Sequence, residues 1–143
     1  MNVKVLYHSS TGNTRKLADA IANVIGVSAE PITKESISFS VPIDLLFIGD
    51  GIYFGKPNKN TIAFINQLTP QTVKNVAVFA TYGGQGKIGA DIKKMFNAKS
   101  INIIGEPFVC KGQSWILMNR KHPDKVDIKK ASDFAKSMIR QID

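Results

Sequence analysis

Two hydrophobic periods alternate along this chain. Short apolar runs bounded by loops give way to stretches in which apolar residues recur every third or fourth position, the pattern of successive βαβ units. Val3-Lys4-Val5-Leu6-Tyr7 reads as the first strand. Arg15 to Ile25 follows with Leu17, Ala18, Ile21, Ala22 and Ile25 spaced for one helical face, and Gly26 is placed to stop that helix. Val27 to Ile32 is a short, weak strand. Ile43 to Ile48 is a buried strand, apolar apart from Asp44. Asn60 to Leu68 reads as a helix with Ile62, Phe64, Ile65 and Leu68 inward, ended by Pro70. Asn75 to Ala80 is a strand, Ile88 to Phe96 a helix, and Ser100 to Cys110 holds the last strand. Val126 to Ile142 closes the chain as an amphipathic helix, with Ile128, Ala131, Phe134, Ala135, Met138 and Ile142 near one face.

Five strands and four helices in this alternation predict an α/β fold. The right-handed crossover rule makes the sheet parallel with helices on both faces, a three-layer doubly wound domain. Its length, 143 residues, suits one domain spanning residues 1–143. Only about 10 residues separate Ile32 from Ile43, as few as a whole crossover needs. A single turn or bare loop is expected there, with the second crossover helix shortened or absent.

Three segments of unusual chemistry each follow a strand: Ser9–Thr14, Gly49–Pro57 and Thr81–Lys87. In an open parallel sheet, ligands bind beyond the carboxyl ends of the strands. Ser9-Ser10-Thr11-Gly12-Asn13-Thr14 sets four hydroxyls around one glycine at the entry to a helix, where amides point outward and the dipole favours an anion. This suits a phosphate monoester held by neutral donors. The plainer alternative is helix capping by Thr11 or Thr14. In the second segment Tyr53 and Phe54 are flanked by Gly51-Ile52 and Gly55, and an exposed ring can stack on a flat heterocycle. In the third, Thr81-Tyr82-Gly83-Gly84-Gln85-Gly86-Lys87, the glycines let backbone approach a planar ligand. It is not a Walker A loop, because Ile88 follows Lys87.

Charge adds a further constraint. Nineteen Lys and Arg against eleven Asp and Glu give +8, which points to an anionic ligand, an acidic partner or nucleic acid. Lysines and aromatics do not alternate, so a stacking platform for single strands is not favoured. The single cysteine, Cys110, excludes an intrachain disulfide framework, and with only His8 and His122 it argues against a structural zinc site. No apolar run reaches the roughly 18 residues of a membrane span, and no signal peptide is evident, so a cytoplasmic protein is expected.

The segment SSTGNT (Ser9–Thr14) resembles the phosphate loop of the flavodoxin family, T/S-x-T-G-x-T, and the strand–loop spacing agrees along most of the chain. The resemblance implies a five-stranded parallel sheet of order 2-1-3-4-5 that binds FMN without covalent attachment. Ser9, Ser10, Thr11, Gly12, Asn13 and Thr14 would wrap the FMN phosphate. Within Gly51-Ile52-Tyr53-Phe54-Gly55, Tyr53 or Phe54 would stack on the inner flavin face. Thr81, Tyr82, Gly83, Gly84 and Gly86 would line the pyrimidine edge. In the family a peptide beside the stacking residue flips to stabilise the flavin semiquinone, and Gly55 is the matching candidate. The chain departs from the family pattern where Gly84 or Gly86 stands in place of an outer-face aromatic, which leaves that flavin face open or covered by Trp115 or a second loop aromatic, and in its basic charge. Lys56, Lys59, Lys87 and Lys111 near the flavin end imply a less negative hydroquinone couple.

The expected function is therefore electron transfer with redox partner proteins that carry acidic docking surfaces, by a monomer. One alternative is an FMN oxidoreductase acting on an anionic substrate, as flavodoxin-like protoporphyrinogen oxidases do; Gly55-Lys56 is similar to their loop. The other is a basic nucleic-acid-binding module without FMN. Bland roles are expected elsewhere. Cys110 reads as a small core residue, His8 as a cap or solvent contact, and Asp50 as an acceptor for loop amides. His122 has no identifiable partner.

Overall fold

The computed structural model describes residues 1–33, 41–52, 56–82, 88–111 and 122–143. Its elements run β1 (Val3–Tyr7), α1 (Asn13–Ile25), β2 (Ala29–Pro31), β3 (Leu45–Ile52), α2 (Lys59–Gln67), β4 (Asn75–Tyr82), α3 (Ile88–Ala98), β5 (Asn102–Ile103), β6 (Phe108–Lys111) and α4 (Lys125–Ile142). Every strand pair is parallel, in the order β2-β1-β3-β4, with β5 and β6 both on the far side of β4.

The expected fifth strand is thus two pieces of one edge. β5 pairs with Asn75 and Val76, and β6 with Phe79 to Tyr82. The offset between partners rises from 27 at Asn75–Asn102 to 29 at Phe79–Phe108, so two extra residues are absorbed between them. Gly105, at a left-handed φ of 65°, and Pro107, with no amide to donate, lie in that break. With β5 and β6 counted together, the order is the 2-1-3-4-5 expected.

Two predicted loops begin later than their sequence suggested. Gly49 to Ile52 continue β3, and Thr81 and Tyr82 continue β4, because Gly49–Phe79, Asp50–Ala80, Gly51–Thr81 and Ile52–Tyr82 pair across the two central strands. Glycine is required at position 49 by packing: a β-carbon there would stand 2.1 Å from Cε2 of the buried Phe79 ring. β2, in contrast, is shorter than Val27–Ile32. Gly26, at a left-handed φ of 86°, and Val27 both donate to Ala22 O and complete the end of α1 instead. The expected turn or bare loop in the second crossover lies largely within residues 34–40, outside the described residues.

Apolar side chains fill both faces of the sheet. Leu6, Ile48, Val78 and Phe96 belong to the core shared with α2 and α3; Val5, Phe47, Phe79 and Met138 belong to that shared with α1 and α4. Phe47, Phe79 and Phe96 are fully buried, each contributing roughly 1.5–3 kcal/mol. Two filled faces hold the central strands rigid, so the ends of β1, β3 and β4 are fixed points on which a site can be built.

Candidate functional site

Parallel pairing places every strand end and every helix start at one edge. β1 lies between β2 and β3, so the chain order reverses between β1 and β3, the position where open α/β sheets hold ligands. The segment Ser9–Thr14 leaves β1 there. α1 starts at Asn13, two residues before the sequence pattern suggested, with Gly12 as its N-cap in the left-handed conformation (φ 88°, ψ −3°). No side chain caps the helix and its first turn holds no acidic residue. The N-cap position thus falls on Gly12 and on neither Thr11 nor Thr14.

Several polar groups of the loop have defined partners. Gly12 N–H donates to Ser9 Oγ at 3.0 Å, which closes the turn and leaves the Ser9 hydroxyl proton able to donate elsewhere. Asn13 Nδ2 donates to Thr11 Oγ1 at 2.8 Å. Ser10 and Thr11 are exposed, whereas Asn13 and Thr14 are buried. A β-carbon at Gly12 would meet no atom within 4 Å. An uncapped helix start, serine and threonine hydroxyls around it and clear space over Gly12 together fit a phosphate. Ser9, Ser10, Thr11 and the first-turn backbone of α1 are the groups able to hold it.

Thr14 has a partner within the protein. Its Oγ1 lies 2.9 Å from Thr81 Oγ1, and both residues are buried. This hydroxyl pair ties the first turn of α1 to the end of β4, where the third glycine-rich segment begins. Thr81 and Tyr82 are strand residues; Gly83, Gly84 and Gly86 lie outside the described residues.

A second tie joins the second loop to the first. Asp50 is fully buried at the end of β3. Its Oδ1 accepts from Gly51 N–H at 2.7 Å and faces His8 Nδ1 at 3.0 Å, and its Oδ2 accepts from Asn58 N–H at 2.8 Å. His8 N–H donates in turn to Gly49 O. Asp50 thus binds loop amides, as expected, and His8, partly exposed, is no helix cap but the partner of that carboxylate. Asn58 is the N-cap of α2, and its Oδ1 accepts from Asn60 N–H. One carboxylate therefore fixes both ends of the 51–57 span and fastens them to the residue before the phosphate-type loop. Gly51 and Ile52 are described as the end of β3, while Tyr53, Phe54 and Gly55 lie outside the described residues.

At the start of α4, Asp124 Oδ1 accepts from Asp127 N–H, and Asp127 Oδ2 accepts from Asp124 N–H. His122, which sequence left without a partner, sets Nδ1 2.7 Å from the same Asp127 Oδ2. Burial works against ionisation of Asp127, but the His122 hydrogen bond and the Asp124 amide hold its carboxyl below the usual value. These three side chains serve the helix cap. Cys110 is a buried core residue, as expected, and its thiol is pushed up to about 12, first by burial and then by Asp127 and Asp124. Trp115 lies outside the described residues, as does Lys87.

The two polar ties escaped sequence reasoning because their partners are 42 and 67 residues apart. A signal for the first existed: an Asp within the apolar stretch Leu45–Ile52 needs partners once it is buried.

Comparison with known proteins agrees with this geometry. The sequence profile of a flavodoxin domain matches residues 4–84. An uncharacterized protein of Methanocaldococcus jannaschii is 32% identical over 151 residues, covering 98% of this chain and 99% of its own. A flavodoxin of Clostridium beijerinckii is 28% identical over 121 residues, covering 78% of this chain and 87% of its own. Among solved structures, a flavodoxin from the domain Archaea superposes with a TM-score of 0.78 at 16% identity, covering 99% of both chains. No helix among the described residues is long and apolar enough to cross a membrane. The chain belongs to the flavodoxin domain family.

Proposed function

We propose that this protein is a cytoplasmic, monomeric carrier that binds FMN without a covalent bond and exchanges electrons with acidic partner proteins. The observation that carries the reading is the start of α1: no side chain caps it, Gly12 holds it open, and Ser9, Ser10 and Thr11 surround it. It sits between β1 and β3, at the reversal of strand order.

Bound FMN supplies the redox chemistry and the protein supplies position and electrostatics. Ser9, Ser10, Thr11, Gly12 and Asn13 hold the phosphate. Thr14 acts through its tie to Thr81. Tyr53 or Phe54 stacks on one flavin face, and Thr81, Tyr82, Gly83, Gly84 and Gly86 line the opposite loop. Gly51, Ile52 and Gly55 shape the backbone beside the ring, with Gly55 adjusting one-electron exchange. The His8–Asp50 tie keeps the phosphate loop and the stacking loop in register.

Titration of FMN followed by flavin fluorescence tests this reading. Stoichiometric quenching at micromolar protein is expected, with riboflavin, which lacks the phosphate, bound at least tenfold more weakly. Unquenched FMN at those concentrations refutes it.

A further inference from the structure

Because the strands are parallel, α1, α2 and α4 begin at the same edge as the phosphate-type loop, and each carries a lysine within its first four residues: Lys16, Lys59 and Lys125. Lys56 precedes α2 and Lys111 ends β6 at that edge. All five are exposed, and among the described residues none is in an ion pair, whereas Arg15, Lys74, Lys93 and Lys129 are. A helix start already carries partial positive charge, so a cation there is opposed by the dipole. α1 and α2 offset it with no acidic residue in their first turns. Lys16 and Lys125 line one open groove with Pro123, Asp124, Ile128 and Lys129, which joins the starts of α1 and α4.

The acidic groups at this edge do little to neutralise the cations. Asp50 is sequestered by its three donors, and Asp124 and Asp127 hold each other and His122. Asp91, in the first turn of α3, is the remaining one among the described helix starts. Cations held against the helix dipoles, unpaired and gathered around one edge, mark a surface built to attract negative charge.

We infer that Lys16, Lys56, Lys59, Lys111 and Lys125 form the docking rim for an acidic redox protein. The inference rests on the FMN-carrier reading, because this rim surrounds the edge through which the bound cofactor would be reached. A protein fits the rim better than nucleic acid does: the cations come from four separate elements around the loops, not from one helix or stripe, and no aromatics alternate with them in the sequence.

Stopped-flow oxidation of the photoreduced, FMN-loaded protein tests the rim, with an acidic rubredoxin as oxidant and one electron passing to its ferric iron. The second-order rate constant is expected to fall about tenfold or more between about 10 mM and 300 mM salt. The charge reversal K59E/K111E/K125E should lower the low-salt rate about tenfold, while K94E/K136E/R140E, of equal charge change on exposed positions of α3 and α4, alters it less than about twofold. Basic cytochrome c should give the opposite salt dependence. Equal rates for the two triple variants, or a rate with rubredoxin that rises with salt, overturn the docking rim while FMN quenching in both variants keeps the carrier reading intact. Inhibition by an equimolar 20-nucleotide single strand, lost at high salt, overturns it in favour of nucleic acid. A wild-type chain that takes up no FMN refutes the carrier reading and the rim with it.

Discussion

Replacing Asp50 by asparagine removes one charge and almost no volume, so it isolates what the carboxylate does. In the wild type, Oδ1 serves Gly51 N–H and His8 Nδ1, and Oδ2 serves Asn58 N–H. An asparagine offers one accepting oxygen; its nitrogen only donates. If that nitrogen faces Asn58, two donors confront each other across 2.8 Å. If it faces the other way, His8 can present an unprotonated Nδ1, but Gly51 N–H then points at a donor. One backbone amide beside a fully buried side chain loses its acceptor in either orientation. That loss costs about 1–3 kcal/mol. A domain of this size has about 5–15 kcal/mol of stability, so Asp50→Asn still folds.

Urea denaturation measures the effect directly. With an m-value of about 1–3 kcal/mol per molar, the midpoint should fall by about 1 M. FMN affinity should drop about tenfold, because the same carboxylate fixes both ends of the 51–57 span. His8→Ala combined with Asp50→Asn should be less damaging than the two single effects added, with a coupling of about 0.5–3 kcal/mol. A variant within about 0.5 kcal/mol of wild type, the range of ordinary surface changes, would show that the three donors do not depend on the charge and that the tie is not a structural clamp.

Other substitutions probe separate parts of the molecule. Gly49→Ala drives a β-carbon into the Phe79 ring and should destabilise by about 3 kcal/mol in chemical denaturation, with Gly49→Ala/Phe79→Leu partly restored. Thr14→Val strands the buried Thr81 hydroxyl and should cost about 1–3 kcal/mol, whereas Thr14→Val/Thr81→Val removes both partners and should come closer to wild type. Cys110 has a thiol pKa raised from 9.0 to about 12, so its contribution is intact below pH 9 and is lost as pH rises from there towards 12, with a slope of at most about 1.4 kcal/mol per pH unit. The stability difference between wild type and Cys110→Ala, followed from pH 8 to pH 11, should shrink; a constant difference refutes the shift. Lys59→Glu puts an anion at the start of α2 and should raise stability by about 0.3–1 kcal/mol at low salt, visible as a higher midpoint in urea.

Much of the fold was legible because the core repeats a simple rule. Leu17, Ala18, Ile21 and Ala22 of α1, all buried, stand at helical spacing, and β1 and β3 contain the apolar runs Val5–Tyr7 and Leu45–Ile48. What misled was glycine. Gly49 and Gly51 read as the start of a loop, yet they continue β3, because the crowding of Phe79 against Gly49 demands a residue without a side chain. Local propensity cannot distinguish a glycine that breaks a strand from one that lets a ring pass. The fifth strand was misjudged for the opposite reason: the Gly105–Pro107 break lay within a run that is apolar on average.

The site divides along the same line. SSTGNT was readable because its residues are contiguous and act on one helix start. The ties between loops were not, since a hydrogen bond between His8 and Asp50, or Thr14 and Thr81, leaves no periodic trace. Yet these ties set the described residues at which the loops of this edge begin and end. Each loop leaves a rigid strand, but a strand fixes only where its loop begins. Asp50 fixes where the second loop ends, by holding Asn58 at the start of α2. Thr14 fixes the start of α1 against the exit of β4. Asp50, the one charged side chain buried among the described residues, is thereby confined to the place where three donors already meet. That arrangement leaves the exposed lysines of the helix starts unengaged by the frame, and so available to act on what approaches from outside.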